Sequence, residues 1–193
     1  MGTIKTTNIE TITGSGTLTL GQSGETISVP SGATLTVPSG GLSGQNYPAF
    51  EAYLSSNQSI SDNVETKVQF DTEVFDTDST YDNSTNYRFT PGVAGKYFIY
   101  SSIQNETGAN NNLVNAYMYI QKNGVNVLEL ENSLQSNFHR LMPTFGMAIL
   151  DLNNTDYVEI YGRINTDSGS GQLFEGNTTY KRGTKFGAYR IGD

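Results

Sequence analysis

LVNAYMYIQKNGVNVLELE, residues 113–131, alternates apolar and polar side chains on both sides of Asn123-Gly124. Period-two alternation is the pattern of a strand whose two faces meet different surroundings. Asn-Gly supplies the two consecutive positive-φ residues that a tight hairpin needs. The stretch therefore predicts strands over 113–122 and 125–131 joined by a two-residue turn. A similar alternation over 156–164 (DYVEIYGRI) places Val158 and Ile160, like Tyr117 and Tyr119 of the hairpin, on buried or interface faces.

Outward from the hairpin the same texture continues. Further strands are predicted at 49–54, 66–75, 87–89, 95–104, 140–150, 171–175 and 184–191, with turn-rich connections. About ten short strands in residues 47–193 suit a sandwich of two Greek-key sheets, a jelly roll. No βαβ pattern occurs, which argues against a nucleotide-binding parallel sheet. The fold class read from the sequence is all-β.

Residues 1–46 differ from the rest: they are poor in aromatics and charge and rich in Thr, Ser and Gly, and the segment SGGLSGQN (39–46) marks the boundary. TLTLGQSGE (17–25), TISVPSGA (26–33) and TLTVPSGG (34–41) repeat one template, a short alternating strand closed by a Ser-Gly turn. Pro30 and Pro38 end strands, and Gly24, Gly32 and Gly40 can take positive φ. The inward candidates are Leu18, Leu20, Ile27, Val29, Leu35 and Val37. A single thread of this kind has no second layer to bury them against. The expected arrangement is a stalk in which three identical chains intertwine around these six residues, with 1–16 as anchor; a Ser/Thr/Gly linker is the alternative.

Charge and composition exclude several functions. Eleven Lys and Arg against nineteen Asp and Glu give a formal net charge of −8, so phosphate neutralisation along a nucleic acid is not expected. The one basic cluster, Lys181, Arg182 and Lys185, reads as a solvated turn. Without cysteine the chain has no disulfide, thiolate ligand or thiol nucleophile. No stretch nears the ~18 apolar residues of a membrane helix, and no secretory h-region follows Met1. Gly2 and Thr6 fit a myristoylation pattern that is short and easily matched by chance.

Few residues carry chemistry. The single histidine, His139, lies in a predicted turn beside Arg140 with no nucleophile-elbow pattern, and reads as a surface or interface residue. Asp71, Glu73, Asp76, Asp78 and Asp82 are hard oxygen ligands at a spacing that suits calcium. Against this, Tyr81 stands where an EF-hand needs glycine and Tyr87 where it needs the bidentate Glu, so a solvated loop is the default. Tyr81, Asn83, Asn86, Asn110, Asn111 and Asn112 combine an aromatic ring with amides, a mix suited to stacking on and hydrogen-bonding a carbohydrate. Sequons at Asn57, Asn83, Asn105, Asn153 and Asn177 are what a Ser/Thr/Asn-rich chain produces.

Four pieces of the second region carry a resemblance: PAFEAYLSS from Pro48, YRFTPGVAGKYFIYSSI (87–103), MAILDLNNTDYVEIYGRI (147–164) and TKFGAYRIG from Thr184. Together they resemble the jelly-roll head of the complement collagen-like subunit and tumour necrosis factor superfamilies, with Phe89, Pro91, Gly95, Tyr97, Asp156, Val158, Phe186 and Tyr189 on the matching positions. The resemblance implies a compact homotrimer with no enzymatic activity, whose heads sometimes hold calcium. The front repeat is not the collagen run of that family, and a threaded β-stalk before such a knob resembles bacteriophage appendage proteins. The expectation is a virion surface protein, a capsid decoration or head fibre, with its N-terminus bound to capsid or tail proteins. The alternatives are a tail-fibre knob that recognises a host surface glycan or protein, and a glycan-cleaving spike.

Overall fold

A computed structural model describes residues 28–29, 31–34, 48–134, 139–176 and 181–192. The chain divides into two units, Met1–Gln45 and Asn46–Asp193. In the first, Ser31 and Gly32 form a turn, Gly32 takes φ +85°, and Val29 is 45% exposed. The other stalk candidates, Leu18, Leu20, Ile27, Leu35 and Val37, lie outside the described residues, as do Pro30, Pro38, Gly24, Gly40, Gly2, Thr6 and Asn177.

The second unit is a two-sheet antiparallel sandwich. Its strands are β1 (Ala49–Tyr53), β2 (Gln58–Ser59), β3 (Thr66–Lys67), β4 (Thr72–Asp76), β5 (Tyr81–Asp82), β6 (Arg88–Phe89), β7 (Gly95–Glu106), β8 (Leu113–Lys122), β9 (Val125–Ser133), β10 (Leu141–Leu152), β11 (Val158–Thr166), β12 (Leu173–Phe174) and β13 (Lys185–Gly192). Sheet I runs β10-β7-β13-β1-β4, and β12 with β2 extends it beside the end of β7. Sheet II runs β5-β6-β11-β8-β9, with β3 also on β11. There is no helix among the described residues, and so none long and apolar enough to cross a membrane.

The hairpin forms as its sequence predicts. Asn123 and Gly124 take φ of 53° and 77°, and Lys122 pairs with Val125. Asn123 is also held from outside, donating to Asp156 Oδ1 at 2.7 Å and accepting from the Tyr157 amide at 2.9 Å. Within β8 it is Ala116, Met118 and Ile120 that enter the core. Tyr117 and Tyr119 stand on the outer face of sheet II, where Tyr119 is nonetheless buried.

The predicted strand 66–75 is two strands in different sheets: β3 pairs β11 in sheet II and β4 pairs β1 in sheet I. Val68 and Phe70, both fully buried, lie in the crossing and span the two layers from inside. The two-residue strands β2 and β5 carry no period to read and were not expected. Pro143 sits inside β10 without penalty, because β10 is an edge strand paired only with β7.

The core is held by an aromatic cluster contributed by both sheets. Phe50 of β1 stacks on Tyr81 of β5 at 4.6 Å and on Phe89 of β6 at 5.0 Å, and meets Phe186 of β13 edge-on at 4.9 Å. Such ring pairs add about 0.5–1.5 kcal/mol each beyond the area they bury. Most of the residues that carried the resemblance occupy framework positions, while Tyr189 stands exposed on the outer face of sheet I. Phe89, Tyr97, Val158 and Phe186 are fully buried, and Gly95 takes φ +151° where a Cβ would lie 2.5 Å from the Gly192 carbonyl.

Candidate functional site

Which surface is built for contact follows from β10. In mid-strand its core-facing residues are small: Thr144, Gly146 and Ala148, between Met142 and Leu150, which pack on the core. Leu128 and Leu130 of β9 and Met118 of β8 fill the space above Gly146, where a Cβ would fall 2.5 Å from Leu130 and 2.7 Å from Met118. The large residues of this middle stretch face out: Phe145 is 68% exposed, Met147 59% and Ile149 63%.

Strand register extends this stripe across sheet I. Ile149 is level with Phe98 of β7, then Tyr189 of β13 and Ala49 of β1. Met147 is level with Tyr100, Gly187, Glu51 and Phe75 of β4. Phe98 and Tyr189 meet at 5.3 Å. Tyr100 lies across Gly187, whose missing side chain makes the room, and donates its hydroxyl to Glu51 Oε2 at 2.9 Å. Burial, and then the carboxylate acceptor, push the Tyr100 hydroxyl well above its ordinary value. Lys185 and Arg182 approach Glu51 at 4.0 and 3.9 Å. One charged group thus crosses an otherwise apolar face. Of the predicted basic turn, Arg182 and Lys185 are engaged there, and Lys181 is exposed.

The predicted carbohydrate residues do not form one surface. Tyr81 is buried, stacked on Phe50, with its hydroxyl donating to the Phe70 carbonyl at 3.1 Å; it is a core residue. Asn112 is 5% exposed and clamps the 167–170 loop, accepting from the Ser168 amide at 2.9 Å and donating to the Ser170 carbonyl at 3.2 Å. Asn86 bonds Asp82 at 2.7 Å, and Asn83 is half-buried in the same turn. Only Asn110 and Asn111 are exposed. The 83–86 turn lies on the β3/β6 side of β11, near Glu159, while Asn112 lies on the β8 side near Asp167. The strand β11 separates them.

The five predicted calcium ligands are likewise spread out. Asp71 accepts from the amide and hydroxyl of Ser55 at 2.9 and 2.6 Å, at the end of β1, while Asp76 is paired with Phe50 near its start. Asp76 takes the Tyr81 amide at 2.8 Å, and Asp78 the Thr77 hydroxyl at 2.7 Å. Asp82 caps its turn through the amides of Thr85, Ser84 and Asn86, which hold its carboxyl far below the usual carboxylate range. Glu73 is exposed, with its pKa raised by desolvation and by Asp76. Among the described residues no three His, Cys, Asp or Glu side chains converge as a metal site. His139 is exposed, and its backbone carbonyl accepts the amides of Asn112 and Leu113. Of the sequons, Asn105 is fully buried, with its amide donating to the Met142 carbonyl and the Thr144 hydroxyl. Asn57 and Asn153 are exposed.

The sheet order and the placement of the core aromatics define a two-layer antiparallel jelly roll. The C1q domain profile matches residues 49–179, and the chain belongs to the C1q domain family. That match stops short of β13, which the structure sets between β7 and β1 in sheet I. Among solved structures, the globular domain of zebrafish complement 1qA is similar at 17% identity and TM-score 0.51, over 75% of this chain and 97% of that one. Murine APRIL at pH 8.0 is similar at 12% identity and TM-score 0.54, over 76% of this chain and 100% of that one. At pH 5.0 the same protein gives 13% identity and TM-score 0.53. These likenesses establish the fold. Comparison with curated protein sequences gives no match.

Proposed function

We propose that the chain is a non-enzymatic structural protein of a bacteriophage particle, a homotrimeric surface appendage that decorates the capsid or forms a head fibre. The observation that carries the assembly is the exposed apolar face of sheet I. Phe145, Met147, Ile149, Tyr189 and Phe75 are each 45% exposed or more, and they continue one another across the sheet. A contiguous apolar face of this kind marks an interaction surface. It reaches the free edge at β10, so the edge of one copy can lie on the face of the next, a head-to-tail contact that closes into a ring of three. The jelly-roll resemblance supports the same number.

The particle reading is supported by the Thr-apolar-Thr-apolar repeat of residues 17–41, which three aligned chains can bury jointly and one cannot. Residues 1–16 then bind capsid or tail proteins, and the sandwich is displayed. A tail-fibre knob that binds a host glycan or protein is the second reading, favoured by exposed Asn110 and Asn111 on the loop between β7 and β8. Immunogold labelling of purified particles tests both. Hundreds of labels over the capsid support decoration, a few tens on the tail support the fibre, and unlabelled particles overturn both.

A further inference from the structure

The outer face of sheet II is a different surface, and it carries directional groups with no partner. Three rows cross it in register. Glu129, Tyr119, Tyr161 and Lys67 form the first. Glu131, Tyr117 and Arg163 form the second, and Ser133, Asn115 and Asn165 the third. Strands ~4.8 Å apart and same-face residues ~6.7 Å apart make this a regular grid. None of these ten side chains is aliphatic.

Arg163 is the centre of the grid. Its guanidinium lies 3.9 Å from the centre of the Tyr117 ring, and Tyr119 stacks parallel to Tyr117 at 6.2 Å. Tyr117 is in turn fixed by its hydroxyl, which donates to Glu131 Oε1 at 2.8 Å, and Asn115 donates to the same oxygen at 2.6 Å. The guanidinium is therefore held flat and in place. Yet Arg163 makes no hydrogen bond or ion pair among the described residues, and its Nε is buried without an acceptor. Two acceptors on β9, across β8 from Arg163, are also unused: Glu131 Oε2 in the same row and the exposed Glu129 carboxylate in the next.

A planar donor on β11 with unused carboxylate oxygens on β9, across the Tyr117 ring, matches a ligand that gives hydrogen bonds at one end and accepts them at the other. The hydroxyls around a saccharide do this. Charge argues against an anionic ligand, since Glu129, Glu131 and Glu159 stand against Lys67 and Arg163, three carboxylates to two cations. A protein interface would want free apolar area at its centre, whereas here Tyr119 is buried and Arg163 covers the Tyr117 ring. We propose that the outer face of sheet II binds a neutral saccharide, with Arg163 donating to its hydroxyls and Glu131 and Glu129 accepting from them. This deepens the adhesive part of the reading above and names its ligand class, but it does not depend on where the protein sits on a particle.

The test is affinity electrophoresis of the full chain in gels containing dextran, mannan or galactan, with heparin as the anionic arm. The inference expects retardation in at least one neutral gel and none with heparin. Arg163→Ala and the exposed-site variant Glu129→Gln should each weaken retardation at least threefold, and Arg163→Lys should not restore it, because an ammonium does not present a planar fork. Thermal midpoints check that the variants fold. No retardation in any neutral gel, retardation by heparin alone, or variants that bind like the parent overturn the inference. A mass measurement on the same sample separates the two proposals: a trimer that ignores all three polysaccharides removes the saccharide site and keeps the assembly, and a monomer that is retarded does the reverse.

Discussion

The outer faces of the two sheets are made of the same kind of strand and differ in what their side chains have found to bond. On sheet II the polar groups bond mainly to one another: Asn115 to Glu131 and Ser133, Tyr117 to Glu131, and Lys67 to Glu159 at 2.6 Å. Such a face is content in water. On sheet I, Phe145, Met147 and Ile149 project from the edge strand and are exposed. A monomer would leave that apolar area wet, so the first face suits solvent and small ligands and the second suits another copy of the chain. Which face is which is decided inside the sandwich, by Leu128 and Leu130 taking the space that larger β10 residues would otherwise fill.

The largest expected effect breaks this contrast directly. Replacing Phe145 and Ile149 by Glu should dissociate the assembly completely, a threefold fall in mass by sedimentation. Tyr117→Glu on the opposite face should leave the mass unchanged. If both variants dissociate, the two faces are not distinct in the way described.

The next effect lies between the faces. Phe50→Ala removes the ring that joins Tyr81, Phe89 and Phe186, and should cost about 3–5 kcal/mol in denaturant unfolding. A smaller one concerns the device that turns β10 outward. Gly146→Val overfills the space beneath Leu130 and Met118 and should destabilise by about 1–3 kcal/mol. The surrounding side chains must move, so apolar-dye binding should rise with it.

The smallest effect is on acid stability. Asp156 is held down to about 2, below the ordinary carboxylate range, first by the Asn123 side chain, then by the Asn153 amide and by Lys122. Because the folded value is the lower one, its bonds contribute fully above about pH 4. That contribution is lost as pH falls through about 2. Asp156→Asn should therefore flatten the fall of stability between these values and shift the thermal midpoint at neutral pH only slightly downward.

How much of this could be read beforehand varied with the length of the element. The strands of the 113–131 hairpin were legible because ten residues of alternation and a two-residue turn leave one solution. The pair Tyr81-Asp82 was not, since a two-residue strand has no period, and a tyrosine between Thr80 and Asp82 looks like surface until Phe50 is brought beside it from 31 residues away. The segment 66–75 read as one strand because β-formers run through it; only the pairing partners show that Val68 and Phe70 carry the chain from one sheet to the other. The apolar face was the least legible feature. In Thr144-Phe145-Gly146-Met147-Ala148-Ile149, periodicity alone sends Phe, Met and Ile to the core, and the contrary outcome depends on side chains of β8 and β9. Arg163 offered no local signal either, because its significance lies in the acceptor it lacks.

If identical copies of the chain cover the outer face of sheet I, native mass measurement of the unmodified full chain at neutral pH gives a single species of three times 21.0 kDa. A folded species of 21.0 kDa that persists at micromolar concentration, with β10 amides exchanging at the rate of a free edge, would contradict it.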